Sequence, residues 1–381
     1  MTSALRIPFN RPTHTPLVDE YAIQALHSGH LSGDGSFTLR CHQLLSDLLG
    51  GAAVLLTTSG THALELTALL LDIESGDEVI VPSFTFPSTV NAFVLRGATP
   101  VFADIRPDTL NIDESRIEAL ITPRTRAIVV VHYAGVGCEM DQIMDLAERH
   151  GIPVVEDNAH GLFGQYRGRQ LGTFGVMAAQ SFHETKNFSC GEGGAIVIND
   201  SSLVERAEIV REKGTNRRQF FRGLVDKYTW VDIGSSFLPS DLLAALLLAQ
   251  LEERDWVMQR RRSLWNRYAQ GLADWAMASD VQMPYVPDHC ETAYHLFHML
   301  LPSTQSRDDL ISHLRDAGIL AVFHYQPLHL SPYGRRIQPH ADCEVTDDVS
   351  GRLIRLPFFT NMESRDSEDV IASVRDFSVR R

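Results

Sequence analysis

The chain has 381 residues, and 48 acidic side chains against 34 lysines and arginines leave a formal charge of −14, which excludes the phosphate backbone of a nucleic acid as a main partner. Hydrophobic residues make up 44% and charged residues 22%, with no biased or repeated tract, so a compact globular protein with two packed units is expected. No basic start followed by an apolar core, and no stretch of eighteen uncharged apolar residues, suggests secretion or a membrane span, and a cytoplasmic location is the expectation.

Taken in chain order, residues 1–20 are rich in Pro and Thr and read as an arm, with a helix beginning near Asp19. Gly33-Asp34-Gly35-Ser36-Phe37-Thr38 starts like a dinucleotide fingerprint but follows no strand and ends in Thr38, which weighs against a nicotinamide-dependent oxidoreductase. From about residue 50 to 200, short aliphatic runs (Val54–Thr57, Val79–Val81, Ala127–Val131, Pro153–Val155) alternate with helical patterns. That alternation predicts an α/β fold with a mostly parallel sheet covered on both faces, whose ligands sit beyond the carboxyl ends of the strands. An apolar helix from Asp241 to about Leu251 leads into a second region, so the expected division is an arm (1–20), a large domain (21–250) and a small C-terminal domain (251–381). The five cysteines, Cys41, Cys138, Cys190, Cys290 and Cys343, are scattered and read as free thiols, and no metal spacing is present.

Polar residues directly after the strands carry the chemistry. Thr57-Thr58-Ser59-Gly60-Thr61 after the first run supplies amides and hydroxyls at a helix start, suited to a phosphate and equally to an ordinary N-cap. Phe86 follows the second run and is placed either to stack on a flat ring or simply to pack. Asp157 follows the fourth, where a carboxylate can face a pyridine nitrogen, with His160 three residues on. Lysine occurs three times, at Lys186, Lys213 and Lys227. Lys213 precedes Gly214 at a helix end and Lys227 adjoins Asp226, which account for both. Lys186 lies between the run ending at Ser181-Phe182 and a glycine-rich return, where desolvation can free its amine to attack a carbonyl, a solvated surface lysine being the plain alternative. Arg211, Lys213, Arg217, Arg218, Arg222 and Lys227 form one basic segment, either an anion site or a solvated face.

Gly60-Thr61, Phe86, Asp157 with His160, and Ser181 with Lys186 stand in the order and at about the spacing of the DegT/DnrJ/EryC1 family of sugar aminotransferases, which the chain resembles over nearly its whole length. The resemblance implies the aspartate-aminotransferase (type I) fold of pyridoxal-phosphate (PLP) enzymes. It also implies Lys186 as the Schiff-base lysine and proton shuttle, Asp157 on the pyridine nitrogen, His160 near the ring oxygen and Phe86 stacked on the ring. Gly60, Thr61 and Ser181 would hold the phosphate. The stretches Ser181–Asn187, Glu212–Arg217, Asp226–Trp230 and Asp232–Ser236 resemble the branch that aminates C4 of dTDP-4-keto-6-deoxyglucose, with L-glutamate as donor. A dTDP-keto-pentose or a 3-keto hexose is the alternative acceptor. Relatives carry an asparagine where this chain has Ser236, reaching the cofactor phosphate of a neighbouring subunit, so at least a homodimer is implied. Arg217, Arg222, Lys227, His324, Tyr325 and His329 are the residues expected to contact the substrate. A dehydratase of the same fold would carry histidine in place of Lys186, and a non-catalytic module would show no cofactor absorbance near 420 nm.

Overall fold

The computed structural model describes residues 5–379. Seven strands form the central sheet: β1 (Ala53–Thr57), β2 (Glu78–Pro82), β3 (Thr99–Ala103), β4 (Thr125–Val131), β5 (Val154–Asp157), β6 (Met177–Ser181) and β7 (Gly194–Ile198). They lie in the order β1-β7-β6-β5-β4-β2-β3, and β7 alone runs against the other six. Near-continuous burial of β2, β4, β5 and β7 is what a sheet covered on both faces requires. β3 is not among the aliphatic runs of the sequence because Thr99 and Pro100 interrupt it; as the edge strand it tolerates a proline.

Helices α1 (Pro16–His27), α2 (Ser36–Leu48), α3 (Gly60–Leu70), α4 (Pro87–Val94), α5 (Met140–His150), α6 (Val204–Arg211) and α7 (Asp241–Glu252) cover the sheet. α1 begins three residues before the expected Asp19, because Pro16 presets the backbone angle of a first helical residue. Side chains of α3, α4 and α6 pack with Leu55, Val129, Val155 and Ala179 on one face. On the other, α5 meets Ile128 and Val154, while α2 and α7 meet Leu56 and Ala178. The Gly33–Thr38 segment is the start of α2: the Asp241 carboxylate accepts from Thr38 N (2.7 Å) and its hydroxyl (2.7 Å), and a Cβ on Gly35 would meet that carboxylate at 2.3 Å.

A second core gathers around α8 (Arg254–Ala278), the strand pair β8 (His298–Leu300) and β9 (Leu353–Arg355), and helices α9 (Thr304–Asp316) and α10 (Ser364–Arg375). The first turn of α8 packs with the sheet through Val257, whereas Leu264, Tyr268 and Leu272 pack in the second core. Ile7 of the N-terminal segment is fully buried there and bridges Ile319. Farther along that segment Asn10 donates to the Glu184 carbonyl (3.0 Å) and Thr13 to that of Asn187 (3.1 Å), so the arm also grips the loop carrying Lys186.

Side chains alternate along β5, so Glu156 and Asp157 face opposite ways. Glu156 is fully buried and accepts from Gly172 N (2.7 Å), Phe174 N (2.7 Å), Gly175 N (2.8 Å) and His132 Nε2 (2.9 Å). His132 Nδ1 accepts from Cys138 N (3.2 Å), which fixes the ring as a neutral donor to Glu156. Glu156→Gln removes acceptor capacity from this closed network and should cost about 3 kcal/mol of stability, read as a lowered denaturant midpoint at unchanged slope.

Candidate active site

A cavity of about 790 Å³ opens where the carboxyl ends of β4, β5 and β6 meet the starts of α3 and α4 and the segment around Tyr325. Val131, Asp157 and Ala179 lie side by side in register on three neighbouring strands, and all three line it. Strand alternation and register thus set the floor of the site before any loop is considered.

One wall is the start of α3. Ser59 caps it, accepting from His62 N through its hydroxyl (3.0 Å) and from Ala63 N through its carbonyl (3.1 Å). Capping therefore leaves Gly60 and Thr61, both lining the cavity, with the first-turn amides and the positive end of the helix dipole for an anion. The Thr61 and Ser88 hydroxyls meet at 2.7 Å, joining the starts of α3 and α4. A Cβ on Gly60 would lie 2.9 Å from that of Ser181, and one on Gly194 would lie 2.4 Å from Gly60 N, so the turn fits against β6 and β7 only as glycine.

Asp157 is buried on the floor, held by the Thr89 hydroxyl at Oδ2 (2.7 Å) and Ala159 N at Oδ1 (3.2 Å); Thr89 in turn meets Thr85 at 2.8 Å. Lys186 lines the same cavity on the loop between β6 and β7. That loop is pinned by Asn187, whose side chain donates to Ala293 O (2.7 Å) and meets His295 Nδ1 (2.9 Å), and by Gln250, which accepts from Ser189 N (2.8 Å). Burial pulls the Lys186 amine down to about 8; the positive Arg355 adds to this and Asp157 opposes it. His160 stacks on His295 with ring centres 4.1 Å apart, and burial, with Lys186 and Arg355 assisting, holds it neutral. Its Nε2 lies 3.4 Å from the Tyr325 hydroxyl, while its buried Nδ1 has no protein partner. Phe86, half exposed at the head of α4, forms the lip.

His324 and Tyr325 both line the cavity, their rings stacked at 3.6 Å, with Tyr133 donating to His324 Nδ1 or accepting from it at 2.8 Å. Tyr325 has a φ of 31°, outside the range bulky residues prefer, a strain of a kind that clusters at functional sites. His329 does not join them: it is buried beneath, bonded to Ser83 Oγ (2.7 Å) and Asp347 (3.3 Å), because Leu328 turns the chain into the sheet edge. Nor does the basic segment line this chain's cavity. Arg211 is fully buried against Asp34 (2.8 Å), Arg217 pairs with Glu212 (3.1 Å), and Arg218 and Arg222 share Glu208 (2.9 and 2.7 Å). Lys227 is exposed, and Ser236 is exposed on a bridge to Glu212. Among the cavity residues that escaped the sequence reading are Thr85 (Thr89's relay partner), His295 and Arg355; Tyr133, which backs His324 from behind the lining, escaped it too. Arg355 had a signal, a lone cation inside the apolar run Leu353-Ile354-Arg355-Leu356.

An amine kept close to neutrality, a fixed carboxylate, a helix-start anion cradle and an unsatisfied imidazole nitrogen around one cavity fit PLP, and on this sheet they define a type I PLP enzyme. The model of the DegT/DnrJ/EryC1/StrS aminotransferase family matches residues 14–375, and the chain belongs to that family. It is a PLP-dependent aminotransferase. Among solved structures it is similar to the aminotransferase TlmJ of Streptoalloteichus hindustanus, with 29% identity over 97% of this chain and 98% of that one and a TM-score of 0.89. Similar too are the putative sugar aminotransferase Spr1654 of Streptococcus pneumoniae in its PMP form (26%, 97% and 98%, TM-score 0.89) and DesV of S. venezuelae (32%, 97% and 98%, TM-score 0.84). Among the described residues no helix is long and apolar enough to cross a membrane.

Because the neutral amine is the reactive form, raising the pH through the Lys186 value favours cofactor capture. For cofactor-free protein the capture rate should rise about tenfold from pH 7 to pH 9 and then level off, where an ordinary lysine would keep rising. Stopped-flow absorbance across that range checks this.

Proposed function

We propose that this enzyme transfers the amino group of L-glutamate to C4 of a dTDP-4-keto-6-deoxy sugar, giving a dTDP-4-amino-4,6-dideoxyhexose and 2-oxoglutarate. The observation that carries the reading is the gathering of Lys186, Asp157 and the α3 start around a cavity of about 790 Å³, room for a cofactor and a sugar together. The C4 assignment rests on the stretches Ser181–Asn187, Glu212–Arg217 and Asp226–Trp230.

When bound, PLP supplies an electron sink for the carbon that loses or gains a proton. Gly60, Thr61 and Ser181 would hold its phosphate, Phe86 would lie on the ring, Asp157 would keep the pyridine nitrogen protonated and His160 would meet the ring oxygen. Thr89 fixes the Asp157 carboxylate in place. Lys186 Nζ takes the proton from the α-carbon of glutamate and, in the second half, delivers one to the sugar carbon. His324 and Tyr325 contact the sugar. The buried wall of histidines, neutral throughout, excludes water and competing protons.

We further propose a homodimer with shared sites. The segment holding Arg217, Arg222, Lys227 and Ser236 also exposes Phe221 (70%), Leu224 (69%) and Trp230 (77%), an apolar surface next to cations that a second copy would cover, bringing those cations to the neighbouring cavity. Phe221→Glu with Trp230→Glu should raise the dimer dissociation constant at least about tenfold in analytical ultracentrifugation.

Lys186→Ala should abolish turnover, and borohydride should no longer fix cofactor to the protein. In a panel of dTDP-keto sugars with L-glutamate, the 4-keto-6-deoxyhexose should give the highest product yield by mass spectrometry. A larger yield from a 3-keto hexose or a keto-pentose sinks the C4 assignment.

A further inference from the structure

His295 lines the cavity from the segment that leads into β8, and three features of the chain converge on it. Its backbone is gripped by Arg261 of α8, a buried guanidinium that spends its donors on neutral oxygens: the carbonyls of Tyr294 (2.9 Å) and His295 (2.6 Å) and the hydroxyl of Thr360 (3.3 Å). Burial pulls that guanidinium down to about 9, so holding the charge there is costly. Tyr294, one residue earlier, has a φ of 50°, in the left-handed region that bulky residues avoid, and such strain clusters at functional sites. The His295 ring itself is clamped by Asn187, the chain neighbour of Lys186.

The clamp decides which ring nitrogen carries the proton. Asn187 donates through Nδ2 to the Ala293 carbonyl (2.7 Å), so its Oδ1 faces His295 and accepts from Nδ1 (2.9 Å). Burial, helped by His160 and Lys186, keeps the ring neutral, and a neutral ring with its proton on Nδ1 carries a lone pair on Nε2. Nε2 has no hydrogen-bond partner among the described residues, although His295 is only 7% exposed. An acceptor dried in this way is costly unless a ligand supplies a donor. The groups that hold the cofactor leave it unused.

We propose that His295 reads a hydroxyl of the keto sugar, accepting a hydrogen bond from it at Nε2. The proposal rests on the aminotransferase reading above. A lone pair calls for a donor that persists through the reaction. L-Glutamate offers only its amine, the group that is transferred, whereas a 4-keto-6-deoxyhexose keeps hydroxyls at C2 and C3 from entry to release. The contact binds and orients the sugar, and no proton changes place. A site built to hydrogen-bond a hydroxyl also rejects a substrate that lacks it, since the buried acceptor is then left unpaired.

The test compares PLP-loaded wild type, His295→Asn and His295→Gln. His295→Asn keeps an amide N–H toward Asn187 and removes the cavity lone pair, whereas His295→Gln puts a carbonyl near the place of Nε2. Both should still fix cofactor on borohydride reduction. The two half-reactions are followed in single turnovers, by the loss of cofactor absorbance at about 420 nm with L-glutamate and its return with the keto sugar. In His295→Asn the sugar half should slow roughly 30-fold beyond any change in the glutamate half, and His295→Gln should recover part of that. The 2-deoxy and 3-deoxy counterparts of the sugar identify the hydroxyl: wild type should lose about 30-fold on one of them, and His295→Asn should not distinguish that one from the parent sugar. A sugar half unchanged in His295→Asn, equal slowing of both halves, loss of bound cofactor, or a wild type indifferent to both deoxy sugars overturns the proposal. If wild type aminates no keto sugar, the functional reading falls and takes this inference with it.

Discussion

The site depends on keeping one amine dry. Lys186 can serve as a nucleophile and proton carrier only if its charged form is disfavoured, and it stands on a loop that three separate parts of the chain hold down. Asn10 and Thr13 grip it from the N-terminal segment, Gln250 from α7 and Ala293 with His295 from the second core. None of these residues takes part in the chemistry. They supply rigidity, because a loop free to swing would let the amine reach solvent and regain its proton.

Arginine placement follows a related economy. In a chain of strongly negative net charge, many cations are matched by acids outside their own run: Asp34 reaches Arg211, and Glu208 reaches two arginines beyond a helix end. The cationic run between 211 and 227 therefore looks like an anion site in one dimension and is largely neutralised in three. Arg355, solitary in its run, lines the cavity with no acid at ion-pair distance among the described residues.

That contrast explains how far the sequence could be read. Lys186, Asp157 and the Gly60 turn were legible because each follows a strand of a parallel sheet, and strand periodicity alone places such residues on one edge. The mostly parallel α/β sheet was legible for the same reason, whereas the type I fold was implied by the family resemblance. His329 and the basic run do not line this chain's cavity, because their surroundings come from partners outside their own stretch: Ser83 and Asp347 for the first, Asp34 and Glu208 for the second. Thr89, His295 and Tyr133 matter through what they touch, and touching is set by packing rather than by local pattern.

The close fit of Gly194 against Gly60 carries a consequence for the order in which the protein is made. β1 is an edge strand whose sheet neighbour is β7, a segment synthesised some 140 residues later. Until β7 emerges and slots between β1 and β6, the turn meant for the phosphate has nothing to rest against, and the lysine loop that ends in β7 is unformed as well. A nascent chain thus cannot trap cofactor prematurely on half a site. Cofactor capture would then follow completed assembly of the sheet, since the α3 turn and the lysine loop both wait for β7.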